Sequence, residues 1–478
     1  MKRDDRDVAR EIDPAIAALV ARARAAQRVA DTYDQARVDD LVIAAGWAIM
    51  EPSRNRELAE LAVADTGVGN VDDKIRKNHR KTLGLLRDLK GAKTVGVISD
   101  DPATGITEIA RPVGVVCAVT PSTNPAATPA NKIINALAGR NAVILAPSPK
   151  GAGTALRLVG YIRAQLERLG APPDLVQTLP APITKQATGD LMRACDLVVA
   201  TGSQANVRAA YTCGTPAFGV GAGNVASIID ETADVDAAVA RVVLSKTFDN
   251  ATSCSSENSL ILLEPIRERA LAALEKHGAV LLDAPRKAAL ERFMWPEGKL
   301  GAGAIGKSAR VIAEGAGFAD IAAREPRVLM VEEDAAEGFG RAHPFSGEKL
   351  SPVLTLYRAR DLDDAMRIVE RIYAYQGAGH SVGLHTREAS RALALGLRLP
   401  VTRVIVEQPH CIATGGSFDN GLPFSLSMGC GTWGGNNFSE NLSVKHYLNI
   451  TRVARPIPER VPTEDEIFGD WFARCGKA

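Results

Sequence analysis

The chain has no CxxC pair and no histidines grouped at metal-ligand spacing, so it offers no zinc site and no candidate metal ligands. Its seven cysteines, Cys117, Cys195, Cys213, Cys254, Cys411, Cys430 and Cys475, form no disulfide framework, which suits a reducing compartment. No apolar run approaches the roughly 20 residues of a bilayer-crossing helix. The opening, MKRDDRDVAREIDP, is charged and lacks the apolar stretch of a secretory signal. These absences lead us to expect a cytoplasmic protein with no membrane partner. The net charge is +1 and no block of one sign dominates, so no nucleic-acid partner is expected either. The strongest basic run, IRKNHRK (75–81), reads as a solvated helix face.

What remains is 478 residues of ordinary soluble composition, 46% hydrophobic and 24% charged, too long for one core. Asp13 before Pro14 reads as a helix cap and first turn, and Val38, Leu41, Val42, Ala45 and Ile49 form an apolar stripe at helical spacing, so the first hundred or so residues are expected to be largely helical. From Arg111 short apolar runs alternate with helical stretches: VGVVCAV, AVILA, LVVA and VASII, then SLILLE, VLMVE, VLTLY, SVGLH and VIVE. Continuous apolar strands between helices imply parallel sheets covered on both faces, and hence two Rossmann-like α/β domains. We place boundaries near 225 and 415: a dinucleotide-binding domain (1–225), a catalytic domain (226–415) and a glycine-rich return segment with an oligomerisation tail (416–478).

Cys254, in KTFDNATSCSSENSLI, sits among small polar residues where a structural cysteine would sit in an apolar stripe. That is a setting for a nucleophilic thiolate, although no cation adjoins it in sequence to lower its pKa. Thr120 to Pro125 is a strand-to-helix turn at the carboxyl end of a parallel strand, where ligands of open α/β sheets bind. Asn124 could serve there as an oxyanion donor, or simply precede a proline in a turn. The next strand ends in Ser148, Pro149 and Lys150, placed for a ribose and phosphate if this is not a plain proline turn. Gly202 and Ser203 open a helix whose free N–H groups suit a pyrophosphate. In FGVGAGN (218–224) the glycines precede a strand, so Gly221 and Gly223 are read as permitting close backbone approach. Glu348 could take ribose hydroxyls or be a surface carboxylate, and His380 could be a base or a buried structural histidine.

Together KTFDN with its following cysteine, TNP, ATGS, GVGAGN, GKSA, EKLSPVL, GHS and SLSMGCGTWGGN with SEN resemble the aldehyde dehydrogenase superfamily, in its CoA-acylating branch. The resemblance runs from about residue 13 to 450. It implies that Cys254 is the nucleophile and Asn124 with the Cys254 N–H the oxyanion hole. It further implies that Glu348 holds the nicotinamide ribose, that Gly202 and Ser203 flank the pyrophosphate, and that His380 is catalytic. NAD or NADP would be the cofactor and coenzyme A a co-substrate. Gly219 stands where hydrolytic relatives carry a general-base glutamate, which implies that CoA and not water releases the acyl group. The stretch from Thr120 to Gly151 is most similar to members acting on sulfoacetaldehyde, a small anionic aldehyde. Succinate semialdehyde, a neutral short aldehyde, a hydrolytic enzyme or a non-catalytic scaffold are the alternatives. Arg403, His410 and Thr414 are candidates, by position, for holding an anionic substrate. The resemblance also implies a homodimer or homotetramer in which strands near 105–112 and 440–450 exchange between subunits.

Overall fold

A computed structural model of the chain describes residues 11–477. Most of the charged N-terminal stretch therefore lies outside the described residues. The helix Pro14–Ala30 begins as its sequence signals: the Asp13 carboxylate accepts the Ala15 N–H at 2.8 Å, and proline takes the first turn. The helix Gln35–Met50 buries the stripe of Val38, Leu41, Val42, Ala45 and Ile49. Pro52–Thr66 and Val71–Leu89 complete a helical layer against the first sheet.

That sheet has five parallel strands in the order Val176–Thr178, Ala142–Pro147, Val115–Thr120, Leu197–Thr201 and Ala217–Val220. Its register sets Thr120 beside Pro147 and Thr201 beside Val220, so four strands end along one edge. The loops carrying Asn124, Ser148, Gly202 and Gly221 all leave from that edge. The edge strand Ala217–Val220 is a correction to the sequence reading, in which FGVG only preceded a strand. It is too short and glycine-broken for alternation to reveal it.

The second sheet has seven strands in the order Ala279–Leu281, Val328–Glu332, Val353–Ala359, Glu257–Leu263, Val225–Ile229, Val382–His385 and Val404–Val406, all parallel. Cys254 lies just before the strand Glu257–Leu263. The third sheet is small and antiparallel, with Gly96–Asp101, Ile106–Pro112 and Leu448–Ala454 side by side. Ile106–Pro112 and Leu448–Ala454, the stretches expected to take part in subunit exchange, pair with each other within one chain. The glycine-rich stretch between them and the second sheet returns to the first core, where Phe424, Phe438, Leu442 and Tyr447 are buried. Among the described residues no helix is long and apolar enough to cross a membrane.

Candidate active site

Cys254 is delivered by an unusual turn. Asp249, Asn250 and Ala251 have φ of 49°, 51° and 58°, three successive non-glycine residues in the left-handed region. Each such residue costs about 1–2 kcal/mol, so the turn needs support, and Asp249 gathers it. Its carboxylate accepts from Lys77 Nζ at 2.5 Å, Thr252 Oγ1 at 2.8 Å, the Asn70 N–H at 3.0 Å and Lys74 Nζ at 3.1 Å. Its own N–H donates to Asp73 Oδ2, and the Asn250 amide donates to the Gly306 carbonyl. Burial alone would push the Asp249 carboxyl up, but Lys77 and Lys74 outweigh it and hold it low. On the other side, a Cβ at Gly223 would lie 2.0 Å from the Cys254 carbonyl oxygen. Only glycine lets the two backbones approach this closely.

The same Lys77 also engages Asn124, the residue expected to serve as an oxyanion donor. Its ammonium donates to Asn124 Oδ1 at 2.8 Å. With the oxygen engaged, the NH2 end of the Asn124 amide is left to serve a ligand; its nearest acceptor, Thr123 Oγ1, is 3.5 Å away. The Cys254 thiol, half-buried beside it, is pushed up to about 12, mainly by burial and then by the negative charge of Glu348. Glu348 is itself raised to about 8 by burial, against the Gly223 N–H that donates to Oε1 at 3.2 Å and against Lys246 and Lys349. A thiol in this state is protonated near neutral pH, and positive charge brought in with a ligand would favour its thiolate.

Two cavities meet at this point. One, of about 390 Å³, is lined by Thr120, Asn124, Ser148, Gly202, Ser203, Gly221, Cys254 and Glu348. The residues drawn from four strand ends, a loop and the cysteine turn are thus brought together. The other, of about 880 Å³, shares Asn124, Ser253 and Leu426 with the first. It opens between the helix Val71–Leu89 and the glycine-rich return segment.

Other expected residues fall elsewhere. Pro149 and Lys150 are exposed on the turn Pro149–Gly151 and line neither cavity, because the chain turns outward after Ser148. His380 is also outside both walls: it is 2% exposed, its Nδ1 is 2.7 Å from Ser381 Oγ, and burial with Arg403 and His410 nearby lowers it to about 3. Arg403 is spent on Asn441 and the carbonyls of His380, Gly429 and Ser439, while His410 holds Ser255 O and Thr414. None of these lines either of the two cavities at Cys254. The basic run 75–81 is only partly a solvated face: Arg76 and His79 are exposed, but Lys77 and Lys81, like Lys74 just before the run, are buried. Position 219 faces away from the cysteine, since a Cβ there would meet Val207 and the Tyr211 ring. The scarcity of carboxylates is better seen in the cavity wall, where Glu348 is the one acid beside Cys254.

The residues fit a dinucleotide. The helix Gln204–Thr212 presents its N-terminus, capped by Ser203, to the cavity, and Thr120 Oγ1 is buried there without a hydrogen-bond partner. The aldehyde dehydrogenase family pattern matches residues 7–287 of the chain. The acylating sulfoacetaldehyde dehydrogenase of Cupriavidus necator is 66% identical over 463 residues, covering 97% of this chain and 93% of the relative. The chain belongs to the aldehyde dehydrogenase family. The crystal structure of an acetylating aldehyde dehydrogenase from Geobacillus thermoglucosidasius superposes on this aldehyde dehydrogenase with a TM-score of 0.88 at 35% identity, covering 94% of this chain and 98% of that one. A Rhodopseudomonas palustris propionaldehyde dehydrogenase with bound CoA and an acylated cysteine matches with a TM-score of 0.81 at 25% identity, covering 92% and 97%.

Proposed function

We propose that this aldehyde dehydrogenase is CoA-acylating and that its substrate is sulfoacetaldehyde. The reaction converts aldehyde, CoA thiol and NAD(P)+ into acyl-CoA, NAD(P)H and a proton. Cys254 attacks the carbonyl carbon as a thiolate, and the Asn124 amide with the Cys254 N–H receives the oxyanion. Lys77 keeps the Asn124 oxygen occupied so that only N–H groups face the reacting centre. A bound nicotinamide dinucleotide would accept the hydride; Glu348 and Ser148 are placed for its ribose, and Gly202, Ser203, Thr120 and Gly221 for its phosphates. The acyl group is left on Cys254 as a thioester until the CoA thiol takes it, which regenerates the cysteine and keeps the reaction reversible.

The observation that carries this reading is the wall beside Cys254, in which Glu348, already bonded to the Gly223 N–H, is the one carboxylate. A hydrolytic enzyme needs a carboxylate free to activate water. The experiment is dinucleotide reduction with sulfoacetaldehyde, NAD against NADP, with and without CoA, for wild type and Cys254→Ala. Turnover that needs CoA and is lost in the variant is expected; turnover indifferent to CoA would make the enzyme hydrolytic. CoA-dependent activity on succinate semialdehyde or propanal but not sulfoacetaldehyde would discard the substrate alone. We also take the enzyme to be a cytoplasmic homodimer or homotetramer. Val461, Ile467, Phe468 and Trp471, exposed around the helix Glu464–Cys475, favour a partner subunit.

A further inference from the structure

We infer that Arg80 is the residue that holds the anionic end of the aldehyde, an assignment that rests on the acylating, sulfoacetaldehyde-oxidising reading above. The 880 Å³ cavity that reaches Asn124 from the side opposite the dinucleotide is lined by Arg56, Arg76, Lys77, Arg80 and Lys81, with Asp419 as its one acid. A wall so unbalanced lowers the energy of an anion inside it. The five cations are not equivalent. Arg56 and Arg76 are exposed at the mouth, and Arg76 faces Asp73 at 3.5 Å. Lys77 is committed to Asp249, Thr252 and Asn124. Lys81 is caged by the carbonyls of Gly415, Gly416 and Ile412, and burial lowers it to about 7.

Arg80 is different. Its Nη2 donates to Ser417 Oγ at 2.5 Å, Ser417 in turn donates to Asp419, and the guanidinium lies over the Phe418 ring at 5.0 Å. The group is thereby held in one orientation, yet its Nε is buried with no hydrogen-bond partner. That atom is closed to solvent, but Arg80 lines the cavity, so an oxyanion entering it can meet the guanidinium held in this orientation. Arg80 lies three residues after Lys77 on one helix, so the two side chains are neighbours on the same face. Lys77 touches the oxyanion amide and Arg80 sits one turn further out, the order in which a carbonyl and a sulfonate follow each other along a two-carbon aldehyde. The guanidinium plane matches paired sulfonate oxygens as it matches a carboxylate, so the specificity is for small aldehydes with a terminal anion.

The test compares kcat/KM for sulfoacetaldehyde and for propanal, with saturating CoA and dinucleotide, in wild type, Arg80→Ala and Arg80→Lys. Thermal melting checks folding, and Arg80→Gln, which keeps a donor for Ser417, serves if Arg80→Ala does not fold. Ethanesulfonate is titrated in parallel as a competitive inhibitor. We expect the sulfoacetaldehyde-to-propanal ratio to fall about tenfold or more in Arg80→Ala, part of it to return in Arg80→Lys, and inhibition by ethanesulfonate to weaken in step. A ratio within about threefold of wild type, with inhibition unchanged, overturns the assignment while leaving the substrate reading intact. A wild type that prefers propanal overturns the substrate reading, and the Arg80 site falls with it.

Discussion

At the scale of single residues, the site depends on charges that face it without reacting. Lys77 reaches Asn124 from a helix and occupies the amide oxygen, which leaves the NH2 end free for a ligand. Lys77→Met should lower kcat about tenfold to hundredfold, in the range of losing one oxyanion donor. The dinucleotide KM should move little, because Lys77 is not part of the wall of that cavity. Equal loss in both parameters would show that Lys77 supports the fold and not the amide. Glu348 makes a second prediction. Burial and then Glu348 hold the Cys254 thiol near 12, so alkylation of Cys254 by iodoacetamide, followed by peptide mass, should still be climbing at pH 9 to 10. Glu348→Gln removes a negative charge that is present above about pH 8. Alkylation at pH 9 should then quicken several-fold, while dinucleotide affinity weakens. That Asn124 and the strand-end residues Thr120, Ser148, Gly202, Ser203 and Gly221 share one cavity was legible because parallel sheets put ligands at strand ends, whereas Cys254 stood out by its polar neighbours and Glu348 by the family resemblance. Lys77 and Arg80 were not legible, since nothing local to a helix says which distant loop its basic face will meet.

At the scale of elements, the helix Val71–Leu89 shows why. It buries Lys74, Lys77, Asn78, Lys81 and Thr82 along with Leu85 and Leu89. The rule that a helix turns its apolar stripe inward reads Gln35–Met50 correctly, with every stripe residue buried. It fails on the N-terminal half of the later helix because the neighbour there is the polar turn at Asp249 and not a hydrophobic core. The left-handed turn at Asp249, Asn250 and Ala251 was equally hidden, because the sequence carries no glycine there to announce it. It yields a prediction: Ala251, fully buried at φ 58°, tolerates no β-branch. Ala251→Val should destabilise the protein by about 2 kcal/mol or more and cut turnover by displacing Cys254. Ala251→Gly should be close to neutral in thermal melting. A valine variant as stable and active as wild type would mean that the turn relaxes without consequence.

At the scale of the whole molecule, the two large sheets were foreseen from continuous apolar runs. The short strands Val176–Thr178, Ala217–Val220 and Ala279–Leu281 escaped, while the equally short Val382–His385 and Val404–Val406 did not, because three or four residues carry too little periodicity to be read reliably. The fold also buries histidines that no motif required. His385 ends the strand next to the edge of the second sheet, is 2% exposed, and burial with Arg241 and His410 nearby lowers it to about 3. In the unfolded chain it titrates near 6.5. Between about 6.5 and 3 the unfolded state therefore binds the extra proton, so the contribution of this group to stability is full above 6.5 and shrinks as the pH falls, by about 1.4 kcal/mol per pH unit. The gap in melting temperature between wild type and His385→Gln should narrow from pH 7 to pH 5. A constant gap would mean that the ring is not kept neutral by the fold.

The return of the chain to its first core sets a timetable for synthesis. Ala110 pairs with Ile450, 340 positions later, and Phe424, Phe438, Leu442 and Tyr447 fill a core begun by the first helices. Ribosomes add about 5–20 residues per second, so tens of seconds separate the emergence of Ile106–Pro112 from that of the strand that closes it. Throughout that interval the nascent chain exposes an open strand edge and an unfinished core, and its yield in the cell will be governed by what shelters them.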